Sequence, residues 1–567
     1  MYFTLGVSAT TAEGCAALTD RALGVDPSVM PIPGPAAVAW RAPDGRATLL
    51  RWGGDAEAGP GQAGASRPDT GRDRAGSSSA GAASRAGAAS RAGTIWAEVP
   101  GPGGGPAPLR ARTSVTRVDP VYLAEVPGAV IVADRAAWAA WSASRLDDHD
   151  PLHLGALLNP GFPLGSVTPF SGVTAVAGSA ALRLLNGSVT RLTGGAGTGA
   201  DTGARPGGAR EVAEGLVAAV APLRAAGAPV ELSLTGGKDS RLVAAALVKA
   251  GVPVTARTHG FDDHPDVVVA VEIARRLGIE HVVRTPAAPG QRVDVLGRIR
   301  ATVLVADGML SAFENVGRPD PSASPALTAG GHGGELLRGG YAETAALRSS
   351  AGGLRGVLSP ARSAARSAEL LRRLTTKHLG LIRRGPAVAY AASLAPWTPR
   401  LAAHPMRTLD DFYLVNRAGR WSAAARQAYL LRERLIQPLF DDRVVLAARA
   451  VPLADRVSGA LSAAVLAELS PALADVPLAG KPPAGTQSPF DWRRQYGDAI
   501  STFLRGYILD LGTTSGLFDV VSQPAAERLL TPPHADRATV WALATAACLV
   551  SGDYRKARET TPQLPVT

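Results

Sequence analysis

Cysteine is almost missing from this chain: of 567 residues, only Cys15 and Cys548 carry a thiol. Two thiols build neither a disulfide framework nor a cysteine-rich zinc module. Long apolar runs are missing as well. No membrane-length stretch free of charge occurs, and Met1-Tyr2-Phe3-Thr4 lacks the basic opening and cleavage site of a secretory signal, so a soluble cytoplasmic protein with no membrane partner is expected. Aromatic residues are sparse at 5%, and the nine tryptophans are not interleaved with basic runs as on a base-stacking surface. Nucleic acid is therefore disfavoured as a partner despite the net charge of +11, which suits nucleotide phosphates or an acidic peptide equally well.

Apolar residues are plentiful, at 46%, and over this length they can fill the cores of two or more domains. The first region is strand-rich. Extended pieces at 36–40 and 47–52 flank a Pro43-Asp44-Gly45 turn, further strands follow at 94–99, 121–124 and 129–133, and a helix is expected at about 135–146. Residues 54–93 repeat Gly, Ala, Ser and Arg and cannot bury a core, which predicts a disordered insertion. A second hairpin is marked by Asn186-Gly187 between 181–185 and Ser188-Val189, and the Gly-rich stretch 194–208 reads as a linker.

The chemistry-bearing stretch is Val230-Glu231-Leu232-Ser233-Leu234-Thr235-Gly236-Gly237-Lys238-Asp239-Ser240-Arg241, followed by good helix formers to Ala250. It predicts a short strand, a glycine turn and a helix. Unpaired N–H groups at a helix start carry partial positive charge, and the glycines let backbone approach a ligand closely. Thr235 and Ser240 can add hydroxyl donors, and Lys238 and Arg241 add charge. Asp239 would repel a bound phosphate unless a divalent cation sat between them. The loop is not a Walker A motif, because Asp239 follows Lys238 where Ser or Thr would stand. Strands at 252–258 and 280–285 alternate with a helix at 265–277, which predicts a parallel sheet. Ligands bind at the carboxyl ends of such strands, so nucleotide is expected across Leu234-Thr235-Gly236-Gly237 and the Thr258-His259-Gly260 turn. Asp262, Asp263 and Asp266 read as a solvated turn and helix start. A second dense glycine stretch runs Thr328-Ala329-Gly330-Gly331-His332-Gly333-Gly334-Glu335-Leu336-Leu337-Arg338-Gly339-Gly340-Tyr341, a composition that suggests backbone pressed against a ligand.

The Thr235–Ser240 loop resembles the SGGxDS loop of the PP-loop ATP pyrophosphatases, most closely that of class B asparagine synthetase and its relatives. The second stretch is similar to that family's SGxGxDE…GGY segment, and Gly331-His332-Gly333-Gly334-Glu335 falls on its GxGxD. The resemblance extends to the strand pair after Asp119-Pro120, to the bridge Gly161–Val173, and to Asp410-Asp411-Phe412-Tyr413 and Leu435-Ile436-Gln437-Pro438-Leu439-Phe440-Asp441-Asp442 in the family's helical core. In all it covers about residues 110 to 500.

The fold so implied is α/β: a degenerate Ntn-hydrolase-like (αββα) domain over 1–193, a linker at 194–210, and over 211–567 a PP-loop (adenine nucleotide α-hydrolase-like) synthetase domain with a parallel sheet and a helical C-terminal part. By resemblance the cofactors are ATP and Mg2+. Gly331 and Gly333 join the nucleotide site, Asp239 and Glu335 hold the metal, and Lys481 in Ala479-Gly480-Lys481-Pro482 steadies the acyl-adenylate and transition state. His332 stands where relatives carry a glutamate or a tyrosine, and is either a base toward an attacking amine or a hydrogen-bond donor to phosphate. Glutamine-using members expose an N-terminal cysteine that attacks glutamine. Tyr2 replaces it here, so glutamine hydrolysis is expected to be absent. The resemblance thus implies an AMP- and pyrophosphate-forming ligase that adenylates a carboxylate and joins it to an amine on a small molecule or peptide. Members without glutaminase activity include β-lactam synthetase and lasso-peptide cyclases, which points to natural-product biosynthesis, intramolecular cyclisation and, for a peptide, a precursor-peptide or leader-processing partner. The alternatives are a non-catalytic nucleotide-binding scaffold and a PP-loop enzyme acting on tRNA, the latter usually needing reactive cysteines.

Overall fold

The computed structural model describes residues 3–25, 36–52, 94–98, 107–192, 207–226, 229–286, 292–314, 316, 327–347, 360–431, 434–488, 491, 493–531 and 536–565. Tyr2, the 54–93 insertion and most of the 194–210 linker lie outside these residues. The chain forms two compact units, Met1–Leu146 with Phe170–Ala196, and Asp147–Pro169 with Gly197–Thr567.

The first unit is built on two antiparallel sheets. Strands β1 (Phe3–Ala9), β2 (Ala36–Arg41), β3 (Ala47–Trp52), β6 (Tyr122–Val126), β7 (Ala129–Ala133) and β8 (Val173–Ala175) order as β2-β3-β1-β7-β6-β8. Strands β4 (Thr94–Ala97), β5 (Leu109–Arg112), β9 (Ala181–Leu185) and β10 (Ser188–Leu192) order as β10-β9-β5-β4. Alternating residues from both sheets meet in one core: Leu49, Leu123, Val130 and Val132 from the first, Ile95, Leu109, Leu182 and Leu184 from the second. Helices Ala12–Leu23 and Ala136–Ser142 pack on the six-stranded sheet. Asn186 and Gly187 turn the β9–β10 hairpin with φ of 47° and 71°, the doubly positive pair a two-residue loop of this hand requires.

The second unit centres on a five-stranded parallel sheet. Its strands β11 (Val230–Ser233), β12 (Val254–His259), β13 (Glu280–Arg284), β15 (Leu327–Ala329) and β16 (Arg434–Ile436) order as β13-β12-β11-β15-β16. A separate pair joins β14 (Arg292–Val293) to β17 (Leu564–Pro565). The helix Lys238–Lys249 follows β11 and is buried on nearly all sides, Leu242 to Leu247 being part of one core with Val230, Leu232, Ile273 and Val465. Such all-round burial explains why the helix is apolar without a polar stripe. The helix Pro265–Leu277 lies between β12 and β13, starts with Pro at its first turn and ends on Gly278 in the left-handed region, the usual stop for a helix. Strands β15 and β16 are three residues long and were not legible as strands. Leu435 and Ile436, expected in the helical part, are instead the edge of this sheet, paired with Thr328 and Ala329.

Candidate active site

Parallel pairing of β11 with β15 sets Glu231 opposite Thr328 and Leu232 opposite Ala329. Their carboxyl ends therefore open on the same edge, and the two glycine stretches that follow them are neighbours although almost a hundred residues apart in sequence. The approach is close. A Cβ on Gly331 would stand 2.6 Å from the Ser240 nitrogen, and one on Gly334 would stand 2.0 Å from the Asp239 carboxyl carbon. Glycine is needed at both positions because the second turn packs directly on the first.

The Thr235–Gly237 loop is held by its own side chains. Ser240 Oγ accepts from the Thr235 N–H at 3.1 Å and donates to the Thr235 carbonyl at 3.2 Å, while Thr235 Oγ1 accepts from the Gly237 N–H at 3.2 Å. Asp266 accepts from the Gly236 N–H at 3.1 Å, so this acid of the solvated turn positions the loop. The helix that follows has Gly237 at its N-cap and no side chain capping it. Its opening N–H groups are the polar groups left for an anion.

Several sequence-derived site residues have structural work. Arg241 is buried and donates to the carbonyls of Gly237, Gly236, Val476 and Pro477 at 2.9–3.0 Å, which ties the loop to the segment leading to Lys481. Ala479 N–H donates to the Gly236 carbonyl at 3.1 Å, and Lys481, exposed, lies two residues further on. Leu234 is in the core and both its backbone groups are bonded, its N–H to Arg257 and its carbonyl to the Thr258 hydroxyl at 2.8 Å. Thr258 is buried and also lies 2.9 Å from His281 Nε2, so its hydroxyl faces the sheet. His259 is exposed at the end of β12, and Gly260 N–H closes on the Arg284 carbonyl. Lys238 reaches Glu343 at 3.6 Å. Gly333, with φ of 98°, lies against the Phe440 ring.

The acids meet a cation that the sequence reading did not weigh. Arg338 bridges Asp239 and Glu343 and is itself mostly buried. Burial raises the Asp239 pKa, Arg338 opposes the rise, and Glu335 then Glu343 add to it. Glu335 is thus near enough to Asp239 to be felt electrostatically, and it accepts a hydrogen bond from Tyr413. Among the described residues no group of three or more His, Cys, Asp or Glu could cage a metal. Two carboxylates are what magnesium uses when phosphates and water complete its coordination, so Asp239 and Glu335 fit a cation that arrives with a nucleotide. The Glu335 turn is anchored from below: Arg456 donates to the Leu336 carbonyl and pairs with buried Asp410 at 2.8 Å, with Arg449 on the same carboxylate at 2.9 Å.

Residues 211–470 match the family model described as asparagine synthase. This part of the chain is an asparagine synthase domain. The family is one of ATP-dependent amide-forming ligases that work with ATP and Mg2+. The chain matches no curated protein.

In the asparagine synthase domain a π-helix, Tyr413–Ser422, faces the second glycine turn. Its widened i→i+5 winding is uncommon and is found mainly at functional sites. One side docks on 165–167, with Asn416 Oδ1 accepting from Gly165 N–H at 2.8 Å and Arg420 donating to the Val167 carbonyl. The other side presents Tyr413, Arg417 and Trp421. Arg417 lies over the Trp421 ring, 3.5 Å from its centroid, and 5.5 Å from that of Phe162. Tyr413 closes the Asp410–Tyr413 segment that carries the resemblance, whereas Arg417 and Trp421 had no signal in the sequence, since π winding breaks the helical period on which such reading relies.

His332 lies at the end of this arrangement, lining a cavity with Glu314, Val316, Trp421, Ser422, Ala425, Tyr429 and Gln437. Its ring keeps an exposed face, yet the surrounding protein lowers its pKa below the ordinary histidine value; Glu335 opposes this and Arg417 adds to it. Both cysteines are buried, Cys15 with Sγ 4.0 Å from the Val7 carbonyl and Cys548 with its thiol pKa pushed up to about 12 by burial. Sulfur transfer calls for an accessible thiol, and both of these are enclosed.

Proposed function

We propose that this asparagine synthase domain adenylates a carboxylate with ATP, releases pyrophosphate and passes the acyl group to an amine, forming an amide and AMP. The carrying observation is the meeting of β11 and β15, which delivers an uncapped helix start, Asp239 and Glu335 to one edge. The open N–H groups of Lys238 and Asp239 receive phosphate oxygens. Arg338, now on Asp239, is a second cation within reach of that charge. Magnesium, held by Asp239 and Glu335, would neutralise the phosphates and favour departure of pyrophosphate. A carboxylate is a poor electrophile and AMP a good leaving group; the protein supplies positioning and charge compensation. Lys481, carried to the loop by the Arg241 and Ala479 anchors, serves the developing charge on the acyl phosphate. His332, neutral at physiological pH, takes the proton from the amine.

Cyclisation within one small molecule or peptide, as in lactam or lasso-peptide formation, is the substrate context we favour. It is supported by the absence of any exposed thiol for releasing ammonia from glutamine, both cysteines being buried.

The test is nucleotide analysis. Incubated with ATP, Mg2+ and a panel of amino- and carboxyl-bearing compounds and peptides, the protein is expected to yield AMP and pyrophosphate rather than ADP. Asp239→Asn should reduce this by about two to three orders of magnitude, the scale of losing one charge-stabilising group, with an unchanged melting curve. Formation of ADP, or an undiminished rate in Asp239→Asn, refutes the proposal.

A further inference from the structure

Arg338 holds two carboxylates from different parts of the chain. Glu343 is five residues away, across the Gly339-Gly340 turn, and both its oxygens accept from Arg338 Nε, at 2.9 and 3.0 Å. Asp239, from the first glycine loop, accepts from Nη1. Among the described residues Nη2 has no acceptor. The pair with Asp239 is mostly enclosed, the Arg338 and Asp239 side chains being 10% and 21% exposed. A charge in such a place is costly to leave unpaired, so these two part only when each gains another partner. The backbone cannot carry Arg338 away. Gly339 and Gly340, with φ of 82° and 54°, are packed so closely that a Cβ on them would stand 2.8 Å from Leu453 Cδ1 and 2.4 Å from Tyr413 Cγ. What can turn is the side chain, about its hold on Glu343. A metal ion by itself meets Asp239 already paired with a cation and Glu335 already accepting from Tyr413. A polyphosphate by itself draws the guanidinium but leaves the Asp239 carboxylate facing like charge. Arriving together, they compensate both partners.

We infer that Arg338 is an exchangeable counter-ion of Asp239, which it cedes to magnesium and leaves for the phosphates of the nucleotide, turning on its Glu343 tether. The inference rests on the reading of this edge as a nucleotide and magnesium site, and adds to it a phosphate-binding residue and a reason for the two to bind together. The exchange is non-covalent, one ion pair traded for two. Arginine suits it because the same planar fork matches carboxylate and phosphate. Glu343 is a positioning residue in this account, and Lys238, 3.6 Å from it, keeps its charge compensated while Arg338 turns. Arg338 lies between Gly331–Glu335 and Gly339-Gly340-Tyr341, the positions on which the resemblance of this stretch rests, and is not one of them.

Arg338→Met keeps much of the aliphatic stem and removes the charge. Mn2+ alone, followed by its EPR signal in the absence of nucleotide, probes access to Asp239. The α,β-methylene analogue of ATP in EDTA, followed by calorimetry, probes the hold on phosphate. The variant should bind Mn2+ about 10- to 100-fold more tightly than wild type, and the metal-free analogue about tenfold or more weakly. Loss of a merely structural residue would weaken both. Unchanged or lowered Mn2+ affinity in the variant, undiminished affinity for the analogue, or no binding of the analogue to wild type overturns the inference. Should the variant fail to fold, a crystal structure of wild type with the analogue and Mg2+ decides: Arg338 on the phosphates and away from Asp239 is expected, and Arg338 still on Asp239 overturns the exchange. Failure of the adenylation reading would show separately, as absence of AMP from a protein whose two affinities still shift in opposite directions.

Discussion

At His332 the direction of the pKa shift sets the pH behaviour. A base works in its unprotonated form, and burial lowers this imidazole below the ordinary 6.5, so it is neutral through the physiological range and gains a proton only as the pH falls further. Amide formation should be level from neutral pH upward through this group and decline on an acid limb below about pH 6.5. His332→Gln should remove that limb and slow amide formation by about 10²- to 10⁴-fold. A rate–pH profile of the variant that keeps the limb would assign it elsewhere. A single methyl tests the other contact at this scale. Gly334→Ala places a carbon where the Asp239 carboxyl sits, and that carboxyl is fixed by Arg338. Loss of activity to the Asp239→Asn level is expected, with destabilisation of about 1–3 kcal/mol from overpacking. Full activity in the alanine variant would mean that the two turns stand further apart.

Among the elements, the glycine loop depends on a strut from outside its own motif. Arg241 begins one turn into the helix Lys238–Lys249 and spends its guanidinium on four carbonyls, two in the loop and two at 476–477. Lysine has a point charge and no planar fork, so Arg241→Lys cannot reproduce that set. The variant should lose about 1.5–3 kcal/mol in urea unfolding, the range for a lost hydrogen bond to a charged donor in a buried place, together with weaker nucleotide use. Parental stability and parental KM for ATP would show that the strut is dispensable. The π-helix Tyr413–Ser422 is the complementary case, an element whose irregular winding aims side chains at the site from one face while the other is fastened at 165–167.

For the whole molecule, the C-terminal helices are braced by charges remote from the site. Arg300 and Asp553, both about 8% exposed, form a two-point pair at 2.8–2.9 Å, and Tyr507 donates to the same carboxylate at 2.8 Å. Asp553→Ala leaves buried Arg300 with only the Lys556 carbonyl and the exposed Glu559 as partners, a loss of about 3–5 kcal/mol. Although burial pushes the Asp553 pKa up, the Arg300 and Tyr507 contacts outweigh it and the folded value is depressed. A carboxyl with a folded pKa below its unfolded value of about 3.9 stabilises above that value and loses the contribution as pH falls through the folded one. Asp553→Asn should therefore show a shallower fall in melting temperature than wild type on acidification below about pH 4. Parallel acid limbs for the two proteins would refute the coupling.

The sequence by itself determined the local elements whose chemistry is local. The Thr235–Arg241 loop between a strand and a helix, the β11–β13 alternation and the Asn186-Gly187 hairpin all follow from period, glycine placement and turn residues within a few positions of one another. It also marked Gly331–Glu335 as unusual. Only the tertiary structure decided what that glycine was for: β15 is too short to read from period, and its parallel pairing with β11 is what presses Gly331 and Gly334 onto Ser240 and Asp239. The same holds for Arg338 on Asp239, for Arg241 turned into a strut and for Glu314 facing His332 across a cavity. Each joins residues far apart along the chain, and the free energy that selects such pairings lies in burial and charge compensation, which no window of neighbouring residues contains.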